Sequence, residues 1–174
     1  ISPNNAINQN TMIANYSFPF PLIRLGDLYL MYAEALNEVK SAPDADVYEY
    51  VDIIRDRAGL AGVIESWTQH SSYSDKPTTK EGMRDIIKQE RLIELAFEGT
   101  RFWDLRRWKD AEKYMNMPIK GWDIGGRGLG FYNVTTVFPG PTDPVIPFEF
   151  KDYLWPVRED EIIKNPNLVQ NPGW

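Results

Sequence analysis

Apolar positions recur every three to four residues over several stretches of this chain. Leu25, Leu28, Tyr29, Tyr32, Ala33 and Leu36 predict a first helix, and Leu30, Met31 and Ala35 make its far side apolar too, so it is expected to be sandwiched between neighbours. Ser41-Ala42-Pro43-Asp44 reads as a turn and cap. Val47, Val51, Ile54 and Ala58 then predict a second helix that stops at Gly59. Two helices joined by so short a turn form an antiparallel hairpin. Thr78-Thr79-Lys80-Glu81 has the form of a capping box and opens a third helix reaching to about Phe97, and a fourth is expected over roughly 100–115.

Between and around these elements the period is lost. Residues 1–20, rich in Asn, Ser and Pro, read as an irregular arm, and residues 60–77 as a long polar loop carrying Trp67, His70 and Tyr73. Glycine and proline dominate from Pro118 to Pro147, which is the least regular region by this reading. Phe148-Glu149-Phe150 and Tyr153-Leu154-Trp155 predict short strands, followed by a last helical turn or two from Arg158 to Ile163. The tail, with its rigid Asn-Pro turns and the apolar Leu168 and Trp174, is expected to be anchored.

The third helix carries charge where it ought to be dry. Met83, Ile86, Ile87, Ile93 and Phe97 form one stripe, and Glu90 and Glu94 fall in its middle. Buried carboxylates need partners. The expected ones are Arg101, if the helix runs on past Gly99, or Arg106 or Arg107, if it turns there, which makes the segment a structural ion network. A glycosidase acid and base pair is the functional rival, but such a pair is normally drawn from separate elements lining a groove.

Composition narrows the classes. A chain of 174 residues with 43% hydrophobic and 25% charged residues is globular with a real core. Its net charge of −6 argues against a nucleic-acid surface, and no run approaches the 18 apolar residues of a membrane span. Having no cysteine, it forms no disulfide and has no thiolate nucleophile or cysteine-ligated metal. His70 is the sole histidine and makes a poor metal site alone. Gly125-Gly126-Arg127-Gly128-Leu129-Gly130 lacks the preceding strand, the following helix and the lysine of a phosphate loop. Neither a cofactor nor a metal is expected, and the chain does not read as an enzyme.

Several segments together resemble the carboxy-terminal part of the SusD/RagB family of outer-membrane nutrient-binding lipoproteins from Bacteroidetes. They are Phe18-Pro19-Phe20-Pro21-Leu22-Ile23-Arg24-Leu25 leading into Tyr29-Leu30-Met31-Tyr32-Ala33-Glu34-Ala35-Leu36-Asn37-Glu38, then Ile54-Arg55-Asp56-Arg57-Ala58-Gly59-Leu60. Glu90-Arg91, Glu94-Leu95-Ala96-Phe97-Glu98-Gly99-Thr100-Arg101 and Asp104-Leu105-Arg106-Arg107 continue the pattern. Tyr153-Leu154-Trp155-Pro156-Val157 and the tail from Asn165 to Trp174 close it. The resemblance implies a mostly α fold of tetratricopeptide-like helical hairpins with long irregular loops and minor short β-strands. It also implies that residues 1–174 are one such domain and a fragment of a longer protein, whose amino-terminal part, signal peptide and lipid-bearing cysteine lie outside this sequence.

The function implied is non-catalytic: binding of a glycan or other nutrient at the cell surface and its delivery to a SusC-like TonB-dependent transporter. The membrane attachment implied is peripheral, through the amino-terminal lipid alone. Given that ligand class, aromatic side chains outside the periodic helices become candidates, because pyranose C–H faces stack on flat rings while polar neighbours bond the hydroxyls. Trp67, Tyr73, Trp122 and Tyr132 are the expected platform, with Asp123 and Arg127 as hydroxyl partners. The competing class is a protein-interaction scaffold that touches no ligand.

Overall fold

Helix α1 (Leu25–Val39) buries Gly26, Leu30, Ala33 and Asn37, one residue per turn along a single face. The computed structural model describes residues 21, 23–138 and 147–174, Phe138 by its backbone only, so the expected arm over 1–20 lies outside it. Leu25, Leu28, Met31 and Tyr32, expected to be sandwiched, are exposed among the described residues. Helix α2 (Ala45–Arg57) starts where the Asp44 carboxylate accepts the Val47 N–H at 3.4 Å, and buries Val47, Val51 and Ile54. Gly59 follows it with φ +73°, a conformation glycine adopts at no steric cost. Tyr29 and Tyr32 both pack on Tyr50, with ring centroids 5.9 and 4.7 Å apart, across a connection short enough to make α1 and α2 antiparallel.

The expected loop over 60–77 is instead largely helix α3 (Val63–His70) and a 3-10 turn at Lys76–Thr78. Its start is capped from another element, because Asp52 of α2 accepts the Val63 N–H at 2.7 Å, and Val63 and Trp67 then turn one face to the core. Helix α4 (Lys80–Glu94) begins at Thr79, whose hydroxyl accepts the Gly82 N–H at 3.1 Å. Gly82 is buried where any Cβ would overlap the Lys76 carbonyl, so this close approach requires glycine. Met83, Ile86 and Ile87 complete a core with Leu30, Ala33, Val47, Val51, Ile54 and Val63.

The second half of α4 is held by charge. Arg91, 4% exposed, reaches Asp27 of α1 at 2.8 Å. Glu94 lies between Arg24 and Arg57, both at 2.5 Å, and Glu90 pairs with Arg55 at 2.5 Å. The two glutamates are 10% and 12% exposed. Their partners come from the segment before α1 and from α2, not from the expected Arg101, Arg106 and Arg107. The expectation needed the helix to run on or turn sharply; it ends at Glu94, and Phe97 (φ +66°) and Gly99 (φ +77°) redirect the chain. Ile93 and Phe97 of the predicted stripe are exposed accordingly.

The chain divides into two compact units, Ile1–Glu94 and Leu95–Trp174. In the second, the expected helix over 100–115 is split into α5 (Thr100–Arg107) and α6 (Ala111–Met115), because Lys109 takes φ +58°. Strands β1 (Ile119–Trp122) and β2 (Val134–Phe138) pair antiparallel inside the region expected to be least regular. The strands expected at 148–155 are replaced by a 3-10 turn, Phe150–Tyr153, with a reciprocal Glu149 and Asp152 cap. Helix α7 (Glu159–Lys164) precedes a tail that is tied down by polar hooks. Gln170 accepts the Val157 N–H and donates to the Val157 carbonyl, and Asn171 donates to the Trp155 carbonyl. The Trp174 indole N–H is shared between the Lys151 and Leu154 carbonyls, each at 3.1 Å. Among the described residues the fold is mostly helical with two short strands.

Three outcomes follow from this packing. Glu94→Ala removes the carboxylate that Arg24 and Arg57 share and should cost about 2–4 kcal/mol in urea unfolding, below the largest buried-pair values because Arg57 is mostly exposed and Arg24 keeps its bond to the residue-94 carbonyl. Truncation after Asn165 removes the Gln170, Asn171 and Trp174 hooks and should lower stability by about 2–4 kcal/mol, read as a drop in Tm. The third concerns acid. The Arg84 fork, donating to both Glu38 oxygens at 2.6 and 2.7 Å, lowers the Glu38 pKa below its ordinary 4.5. This contribution is therefore complete above pH 4.5 and is lost as pH falls through the lowered folded value. The stability difference between the parent and Arg84→Gln should shrink on acidification below that point; a constant difference would contradict it.

Candidate functional site

The β1–β2 ribbon has a bulge between Ile119 and Lys120 and alternates regularly beyond it. Its register pairs Lys120 with Thr136, Gly121 with Thr135 and Trp122 with Val134, so Lys120 and Trp122 leave one face and Gly121 the other. Beyond Trp122 the chain folds back on itself at Asp123. The Asp123 N–H donates to the Asn133 carbonyl at 2.9 Å, and its carboxylate accepts the Gly125 N–H at 3.0 Å, closing an Asx turn. A 3-10 turn, Gly128–Tyr132, then brings Phe131 and Tyr132 back to the end of β1.

Three rings meet there. Trp122 lies 5.5 Å from Phe131 and 5.6 Å from Tyr132, and Phe131 and Tyr132 stand edge to face at 5.4 Å. These are separations at which aromatic pairs attract beyond their buried area. Trp122 is nevertheless 56% exposed and Tyr132 61%. The cluster holds itself in shape while leaving much of Trp122 and Tyr132 open to solvent, and Asp123 and the exposed Arg127 flank it in the chain. Phe131 was absent from the sequence candidates. Its position beside Tyr132, with both rings turned to the same tryptophan, is a product of the 3-10 turn and leaves no periodic signal.

The six expected platform residues are distributed over both units. Trp122, Asp123, Arg127 and Tyr132 share the ribbon of the second. Trp67 and Tyr73 belong to the first. Trp67 sits on α3, half-buried against the apolar core with the Lys76 ammonium 5.2 Å above its ring, so it is a packing residue rather than a loop ring. Tyr73 follows α3 and is 71% exposed.

The arginines of the expected ion network have other work in the second unit. Arg101 covers the Tyr114 ring at 5.0 Å, and Arg107 donates to Asp104 at 2.9 Å. Arg106 lies against Phe102, Phe148 and Trp155 at 5.0–5.5 Å, and among the described residues its buried Nη2 has no hydrogen-bond partner, so ring faces take the place of acceptors. Among the described residues no three carboxylate or imidazole groups converge as a metal site requires, and no helix is long and apolar enough to cross a membrane.

Comparison with known proteins places this arrangement. The family model described as the SusD family matches residues 2–174. SusD-like protein P2 of Formosa agariphila is 32% identical over 154 residues, which cover 87% of this chain and 25% of that protein. SusD-like protein P38 of the same organism is 31% identical over 150 residues, 86% of this chain and 24% of that one. Among solved structures, a SusD-like protein from Bacteroides fragilis superposes with TM-score 0.63 at 30% identity, covering 86% of this chain and 24% of its own. A SusD-like carbohydrate binding protein from Bacteroides fragilis superposes with TM-score 0.59 at 28% identity, covering 86% and 28%. The chain thus spans about a quarter of the length of these relatives. Matched by the family model over almost its whole length, the chain belongs to the SusD family.

Proposed function

We propose that this chain is the carboxy-terminal domain of a cell-surface nutrient-binding protein of the outer membrane, one that holds a glycan without transforming it and delivers it to a SusC-like TonB-dependent transporter. The observation that carries the ligand class is the exposed, self-packed cluster of Trp122, Phe131 and Tyr132. Family membership and the likeness to a SusD-like carbohydrate binding protein agree with it. Flat rings stack on the C–H faces of pyranoses, and Asp123 and Arg127 supply directed polar groups beside them. Tyr73 is a separate contact offered by the first unit. The α1–α2 hairpin, in this reading, is a tetratricopeptide-like unit within a single SusD-like domain.

A scaffold function draws on a different feature, the exposed apolar side chains of Leu25, Leu28, Met31 and Tyr32 along α1, which suit a protein neighbour. The two readings separate in one experiment. Calorimetric titration of the complete protein against a bound oligosaccharide, repeated with Trp122→Ala, should show affinity weakened roughly tenfold or more, the usual effect of losing an aromatic anchor. Trp67→Ala should instead destabilise the first unit by about 2–4 kcal/mol and leave affinity near that of the parent. Unchanged affinity on losing Trp122 moves the site elsewhere, absence of any glycan binding favours the scaffold, and release of shortened sugars overturns the non-catalytic reading.

A further inference from the structure

The charges around the ring cluster are opposite in sign to those of the chain as a whole. The protein carries a net charge of −6, yet between Met117 and Phe138 the sole acid is Asp123, against Lys120 and Arg127. One oxygen of the Asp123 carboxylate accepts the Gly125 N–H. Lys120 and Arg127 are exposed, and neither forms an ion pair among the described residues. Several other surface cations of this acidic chain do otherwise: Lys40 bridges Asp44 and Asp46, Arg84 grips Glu38, and Lys164 meets Asp160 and Glu161. The strand register puts Lys120 on the same face as Trp122, two residues and so roughly 6–7 Å along β1. Arg127 opens the turn that delivers the other two rings.

Resting on the glycan reading above, we propose that this ribbon selects acidic glycans. A pyranose stacked on Trp122 presents its exocyclic substituent at the ring edge, and a neighbouring sugar of the same oligomer presents another a few ångströms on. Lys120 and Arg127 are placed to flank that path as cations that no carboxylate among the described residues pairs with. A carboxylate or sulfate ester supplies the missing acceptor, and Arg127 can fork onto either group. Neutral sugars would gain only the stacking. The selection is electrostatic and sits at the solvent boundary, so it weakens with salt.

The test uses the complete protein and four probes: oligogalacturonides, the same oligomers after carboxyl reduction, carrageenan oligosaccharides, and the same oligomers after desulfation. At least one acidic member should bind more tightly than its neutral counterpart, and the identity of that member separates a carboxylate from a sulfate preference. Its affinity should fall severalfold between about 50 mM and about 500 mM salt. Lys120→Gln and Arg127→Gln should each weaken it by about two- to fivefold, as expected for exposed ion pairs, with Lys120→Arg restoring it. Both side chains are exposed, so thermal unfolding of the variants should match the parent. Equal, salt-independent binding of acidic and neutral partners, lost only with Trp122→Ala, overturns the charge selection and leaves the glycan platform standing. Acidic binding that survives both glutamine substitutions also overturns it. Failure of all four probes to bind removes the platform and this inference together.

Discussion

The first unit depends on a set of ion pairs at the end of α4. Glu90, Arg91 and Glu94 occupy the positions that would continue the apolar stripe of Met83, Ile86 and Ile87, and each meets an opposite charge on a neighbouring element. Taking these groups out of water is costly unless every oxygen and guanidinium finds a partner. The partners are multiple: Glu94 takes Arg24 and Arg57, and Arg24 donates besides to the Glu94 carbonyl at 2.9 Å. Arg55 spreads further, bonding Glu90, the Ala61 carbonyl and the Ser66 hydroxyl, and so ties α4, α2 and the start of α3 to one side chain. Such directional contacts set the register of three helices where apolar packing alone would permit sliding.

The second unit is organised differently. Its buried apolar side chains are few, Leu95, Leu105 and Ala111 among the described residues, and side-chain hydrogen bonds to backbone take up the task. Asn116 exchanges two hydrogen bonds with the Phe148 backbone, at 2.8 and 2.9 Å, Gln170 does the same at Val157, and the Trp174 indole closes the tail. Arg106 stacks among three rings. With so much of its aromatic content outside a core, this unit can leave Trp122 and Tyr132 facing solvent without losing its packing. A binding surface of exposed rings is compatible with that economy, since the ring cluster is braced by its own edge contacts and by the Asp123 turn.

Much of this was legible in order along the chain. The periods of α1, α2 and α4, the Asp44 cap and the Gly59 stop are local, and local patterns survive in sequence because they depend on neighbours one turn away. The burial of Glu90 and Glu94 was legible for the same reason: they share a helical face with Met83 and Ile87. So was the family pattern, whose blocks run from the first helix to the tail.

Partners at long separation were not legible. Which arginine meets Glu94 depended on where α4 ended, and two positive φ angles in the next five residues decided it. Helix α3 was hidden because its cap, Asp52, lies 11 residues upstream of the N–H it satisfies. The ribbon was hidden because its strands are four and five residues long amid glycine, and among the described residues they pair only with each other. By itself the sequence determined the periods of α1, α2 and α4, the Asp44 cap and the presence of charge on a face that packing would bury. The tertiary structure alone decided which charges meet, that Trp67 faces a core while Trp122 faces solvent, and that Phe131 and Tyr132 return to Trp122, because each of these is a relation between segments that no local period encodes.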